Sequence, residues 1–214
     1  RGAALRAATW LAGQVGEDGM VEPRAVAFWE GDQAGVARGI SAEVFDVLSR
    51  LPASERTPVI EAALARQEAA FAAYLKGASL EPLAAGRAIQ ALARLGKLDA
   101  EAARPMLDRL RRARDESHWE PTWFHAWGGR VEATVAMIGA MQALGPERYQ
   151  MEIRDAARWI LSTRGSWGSW HNERATAAAL RGLMVAGASE RLARGELVVA
   201  LDGKVAARVD VDPA

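Results

Sequence analysis

The side chains able to do chemistry crowd into a few turns. All three histidines, His118, His125 and His171, lie in two of them, as do five of the eight tryptophans. Residues 115–129 read DESHWEPTWFHAWGG, with Trp119, Trp123 and Trp127, and residues 164–171 read RGSWGSWH, with Trp167 and Trp170. Phe28 and Trp29 stand in a third stretch, 15–39. Tryptophan and histidine suit sugar stacking, an aromatic cage or a protein hot spot. Three histidines could recruit a metal, but His118 and His125 lack the i, i+4 spacing of ligands on one helix face. An inverting glycosidase needs two carboxylates facing one cleft. Glu17, Asp18, Glu30, Asp32, Asp115, Glu116 and Glu120 lie on the right face, and no spacing selects a pair. The chain has no cysteine, which excludes disulfides, zinc-thiolate sites and a cysteine nucleophile. No catalytic, cofactor or metal residue is therefore assigned, and the chain is not expected to be an enzyme. Phe28, Trp29, Trp119, Trp123, His125, Trp127, Trp167, Trp170 and His171 form the candidate interaction face. The competing reading has the same long Trp-rich turns plugging the end of a helical barrel and closing its core.

These turns must be carried by something. The 214 residues suit one domain with a sizeable core, and 50% hydrophobic with 25% charged residues is an ordinary globular balance. Lysine plus arginine and aspartate plus glutamate are equal at 27 each, so there is no overall basic footprint for nucleic acid. The run Arg109, Arg111, Arg112 and Arg114 reads as a solvated helix end. No apolar run approaches the roughly 18 residues of a membrane span. The chain opens in a helical pattern at Arg1, without a signal peptide, and is read as a piece of something larger.

Helical periods dominate. A first helix carries Leu5, Ala8 and Leu11 and ends near Gly13. After an irregular stretch, a second begins at Ser41 as N-cap and stops at Pro52. A third covers 54–76, a fourth opens at Pro82 and closes at Gly96, and Asp99 caps a fifth reaching Arg114. The sixth, seventh and eighth cover about 130–144, 148–163 and 172–186. Even-numbered helices are rich in small residues, such as Gly86, Ala88, Ala136, Gly139, Ala179 and Gly182, and odd-numbered ones carry more charge. That is the pattern of an inner ring of buried helices inside an outer ring of half-exposed ones. Glu132 and Glu173, early in inner helices, read as capping or dipole-stabilising carboxylates. Residues 197–211 then change to period two around Asp202-Gly203, a β-hairpin signature. The fold class is all-α: a partial α/α toroid of about four helical hairpins over 1–192, followed by a short β-hairpin over 193–214 that would begin an adjoining domain.

An internal repeat supports the ring. Ala7-Ala8-Thr9-Trp10-Leu11 matches Ala156-Ala157-Arg158-Trp159-Ile160. Gly16 and Gly19 follow Trp10 by the same six and nine positions at which Gly165 and Gly168 follow Trp159.

In this order the segments resemble the thioester-containing domain of the alpha-2-macroglobulin and complement family. The residues that carry the likeness are Trp10-Leu11 with Gln14 before Glu17-Asp18-Gly19, then DESHWEP at 115–121, RVEATVAMIGAMQAL at 130–144, Ala157-Arg158-Trp159-Ile160 with its glycine turn, and Glu173 to Leu180. The likeness is collinear from about Ala7 to Leu201. It implies an α/α toroid set beside a β-sandwich domain, proteases as targets of the parent protein, no membrane contact by this piece, and a periplasmic or secreted location. The Arg- and Ala-rich composition adds a bacterial origin. The family's Cys-x-Glu-Gln thioester motif is missing, and the loop 26–33, VAFWEGDQ, has no histidine where transacylating members carry one. The expected function is a proteinase-trapping or envelope-defence protein with no thioester chemistry in this piece. The alternatives are an α/α toroid enzyme acting on glycans or prenyl substrates, since the 164–170 turn also resembles the glycine-Trp turns of terpene cyclases, or an interaction module using the aromatic face.

Overall fold

A computed structural model describes residues 2–22, 33–112, 114–115, 117–121, 129–166, 168–189, 195–201 and 204–211. The chain is all-α, with eight helices among the described residues: α1 (Gly2–Ala12), α2 (Gln33–Ser49), α3 (Pro58–Lys76), α4 (Pro82–Arg94), α5 (Ala100–Arg112), α6 (Gly129–Ala143), α7 (Gln150–Ser162) and α8 (Glu173–Ser189). Local chemistry explains most ends. Pro58 and Pro82 open α3 and α4, where a missing N–H costs nothing. The Thr57 hydroxyl accepts from the Ile60 N–H, and the Glu81 carboxylate accepts from Leu83 and Ala84. Asp99 and Asn172 accept from Ala102 and Ala175 at the starts of α5 and α8.

Two boundaries depart from the sequence reading. Helix α2 starts at Gln33, well before Ser41, so Ser41 is no N-cap. It is buried inside the helix, where its hydroxyl donates to the Ala37 carbonyl and accepts from the Val21 N–H at 2.7 Å. A mid-helix serine is tolerated because both halves of its hydroxyl are used. The third helix begins at Pro58 rather than Ser54, with a 3-10 turn at Ala53–Glu55 before it.

The helices fall into two tiers, as their composition implies. Helix α2 packs on α4, α4 on α6 and α6 on α8, while α1, α3 and α7 lie against this row from outside. Small residues set the spacing within the row. A Cβ added at Gly86 would sit 2.8 Å from the Ala136 backbone, and one at Gly182 would sit 2.5 Å from the Val135 side chain. The core filled by the row includes Phe45, stacked on Phe71 with ring centroids 5.5 Å apart, and the buried Leu48, Ile89, Met137 and Met141.

The repeated glycine turns are one structure made twice. The Gly16 N–H donates to the Met20 carbonyl and Gly19 donates back to Gly16. In the second copy Gly165 donates to Ser169, and Gly168 donates back to Gly165. Gly19 and Gly168 share the same φ of 78°, a left-handed conformation that favours glycine. At the C-terminal end, β3 (Gly195–Leu201) and β4 (Lys204–Val211) pair antiparallel, with Leu197 opposite Val209 and an irregularity between Val199 and Ala200. The hairpin read from the sequence is present, and its turn, Asp202-Gly203, lies outside the described residues. A two-residue pair, β1 (Arg114–Asp115) with β2 (His118–Trp119), leads from α5 toward α6.

The tight α4–α6 contact makes a prediction. Gly86→Ala drives a methyl group into a backbone that cannot yield, and should lower stability by about 1–3 kcal/mol. Gly187→Ala, at a helical position with nothing within 4 Å, should be neutral or stabilising. Urea unfolding of both variants checks the contrast.

Candidate functional site

The inner row converges on a cluster of four charged side chains, one from each helix. Glu132 on α6 is almost fully buried. Its carboxylate accepts from Arg87 of α4 and from Arg174 of α8, whose Nε lies 2.9 Å from Oε2 and whose Nη2 lies 2.8 Å from Oε1. Glu43 of α2 completes the ring, 3.3 Å from Arg87 and 2.6 Å from Arg174. Signs alternate around it, and the Glu43–Arg174 pair links the first and last helices of the row across 131 residues of sequence. A buried carboxylate without partners would be far too costly to keep, whereas one held by two guanidiniums with both oxygens occupied is satisfied.

The electrostatics follow the geometry. Burial pushes the Glu43 carboxyl up, but Arg87 and Arg174 together outweigh it and hold the group below the 4.5 of a free glutamate. Arg174 is held above its usual value, chiefly by its hydrogen bond to Glu132 and against the cost of burial. Glu81, the buried cap of α4, is pushed up by burial against the hydrogen bonds from Ala84 and Leu83. The Tyr74 hydroxyl, which accepts from the Glu81 N–H at 2.7 Å, is pushed by burial to about 12.

Beside the ring, Asp46 of α2 is buried and held by two more arginines, Arg50 at 2.7 Å and Arg94 at 3.0 Å. Between them the four inner helices leave an axial cleft of about 230 Å³. Glu132, Arg87, Asp46 and Gln90 form its polar side, and Val135, Met184 and Val185 its apolar side. Gln90 is fixed by donating to the Gly86 and Ala136 carbonyls, so it braces the α4–α6 contact. Chemically the ring is saturated. Both Glu132 oxygens accept from guanidiniums, and Glu43 sits between two cations.

The aromatic turns read differently from the candidate face. Trp119 is completely buried and Trp170 nearly so, which removes both from any accessible surface. Each is a plug with the same wiring. The Trp119 indole N–H donates to the Leu110 carbonyl at the end of α5, and its backbone N–H donates to Thr134 of α6. The Trp170 indole donates to Ile160 at the end of α7, and its backbone N–H donates to Thr176 of α8. Large aromatic area and one donor aimed at an otherwise unpaired helix-end carbonyl make tryptophan the residue for this joint. His118 is buried too, stacked on Trp159 at 4.3 Å, with Nε2 3.0 Å from Glu120. His171 is exposed. Phe28, Trp29, Trp123, His125, Trp127 and Trp167 lie outside the described residues.

Of the seven candidate carboxylates for glycosidase chemistry, the three with described side chains are each engaged by separate partners. Glu17 pairs with Arg66, Asp18 accepts from the Met20 N–H, and Glu120 lies between His118 and Arg130. Glu30, Asp32 and Glu116 lie outside the described residues, as does the Asp115 side chain. Among the described residues no three His, Asp or Glu side chains gather as a metal would need, and no helix is long and apolar enough to cross a membrane. Glu132 stands in the first turn of α6, the place of a dipole-stabilising carboxylate, and is also a hub of ion pairs. Arg109 is no solvated end: it donates to the Leu75 and Gly77 carbonyls and closes the C-terminus of α3.

The ring joins residues far apart in the sequence. Its trace in the sequence is the pair Glu132-Ala133-Thr134 and Arg174-Ala175-Thr176, where each helix supplies one charge to the axis and, two residues later, one hydroxyl to the preceding Trp turn. No protein-family model matches the chain, and no curated protein matches it.

Glu43 gives a pH test. A carboxyl whose folded-state value is lowered adds stability that is fully present above about 4.5 and is lost as pH falls through the folded value. Glu43→Gln should therefore be less stable than the parent at neutral pH, with the gap closing in acid and shrinking with added salt. Comparing the two proteins cancels the opposite contribution of Glu81. Thermal melts across acidic and neutral pH read the difference.

Proposed function

We propose that this chain is a non-catalytic α/α scaffold, the larger part of a toroid domain of the alpha-2-macroglobulin type, and that its parent protein traps proteinases. The observation that carries the reading is the ordered row α2, α4, α6, α8, with glycine- and tryptophan-built turns at the places where the sequence resembles that family. The saturated ring supports a scaffold role, because its carboxylates are committed to arginines and leave none for a reaction. In a protein that traps by changing shape after cleavage, such a domain moves as a rigid body. A periplasmic or secreted location and a neighbouring β-sandwich joined through the C-terminal hairpin belong to the same proposal.

The test uses the complete gene product. Incubated with a panel of proteinases and sized, it should be cleaved at one exposed segment and carry the proteinase with it, which stays active on small substrates. Intact passage through the whole panel with no co-migrating proteinase would sink the reading.

A further inference from the structure

The axial cleft carries an unbalanced charge beside uncovered apolar side chains. The ring cancels itself, two carboxylates against two guanidiniums. Outside the ring, the cleft is lined by two arginines, Arg50 and Arg181, and one carboxylate, Asp46, which Arg50 already pairs with. Arg181 stands on α8 with its Nε donating to its own helix at Ala177, 3.3 Å, and no carboxylate among the described residues pairs with it. Next to it on the same helix Met184 is 74% and Val185 40% exposed. An exposed methionine on a helix face is ordinary by itself. Here it borders a cleft wall of Val135, Ala136 and Gly139, with the Gln90 amide packed directly against the glycine.

We infer that this cleft is a docking site for an extended acidic peptide with aliphatic side chains, whose carboxylates meet Arg50 and Arg181 and whose aliphatic group lies against Met184 and Val135. Charge complementarity selects that occupant. A basic segment would meet Arg181 and the half-exposed Arg50 with like charge, and a neutral one would leave Arg181 without a carboxylate. Arg50 directly follows the last residue of α2 and Arg181 stands on α8, so an occupant would bridge both ends of the row. The inference concerns the cleft alone and stands apart from the proteinase-trapping proposal.

Fluorescence anisotropy of the full chain tests it, with a fluorescein-labelled hexapeptide alternating leucine and glutamate, and with the same peptide carrying glutamine or lysine in place of glutamate. The glutamate peptide should bind saturably and more weakly as salt is added, and the other two should not bind. Arg181→Glu and Met184→Ser should each weaken binding about tenfold. Arg158→Glu, an exposed arginine of α7 outside the cleft, should leave it unchanged. All three positions are on the surface, and circular dichroism melts confirm that the variants fold. Absence of saturable binding, equal binding of the three peptides, or undiminished binding by Arg181→Glu overturns the inference. So does a dimer of the chain that Met184→Ser converts to monomer, since the face would then belong to a second copy.

Discussion

A single buried carboxylate constrains the rest of this molecule. Glu132 lies at the axis of the inner helices, where an unpaired charge would be untenable, and its oxygens accept from guanidiniums of the helices on either side. Removing one partner from such a buried set typically costs about 3–5 kcal/mol. Arg174 then needs more than Glu132 alone, and its second partner is Glu43 at the far end of the row. The ring therefore specifies a curvature. A flatter row would leave Glu43 and Arg174 apart, and a sheared one would separate Arg87 from Glu132.

Close packing makes the convergence attainable. The α4–α6 and α6–α8 contacts rest on Gly86 and Gly182, positions where even a methyl group has no room. Short distances between helix axes bring four long side chains within hydrogen-bonding reach of one another. The Trp turns act at the ends of the same helices. Trp119 and Trp170 each fasten the end of an outer helix to the beginning of the next inner one, through an indole bond on one side and a threonine hydroxyl on the other. Val21 and Ser41 make the hydroxyl half of this joint in the first hairpin. The aromatic turns are thus structural joints where described, and the interesting chemistry moves from the turns to the axis.

What could be read in advance was local. Pro82 marks a helix start because proline suits a first turn, and the glycines at 16, 19, 165 and 168 announce a turn that is built twice with the same bonds. Alternation of small and charged residues separates inner from outer helices, because only small side chains allow packing on several sides. The change of period at 197 announces the C-terminal hairpin. What escaped depends on distant partners. Ser41 looks like a cap because serine usually is one, and only Val21, twenty residues earlier, gives it a reason to sit inside a helix. Glu132 looks like an ordinary first-turn acid until Arg87 and Arg174 arrive from other helices. The sequence leaves Trp119 open between a surface and a plug, and its burial follows from α5 and α6 closing around it.

The claim that the ionic ring holds α2 and α8 at a fixed separation is tested most directly by a distance. The chain has no cysteine, so spin labels can be placed singly at Val47→Cys on α2 and Leu180→Cys on α8, both exposed positions. Pulsed electron–electron resonance should give one narrow distance in the otherwise unchanged protein, and a longer, broader distribution when Glu132→Gln is added. A folded Glu132→Gln protein with the same narrow distance would contradict the claim.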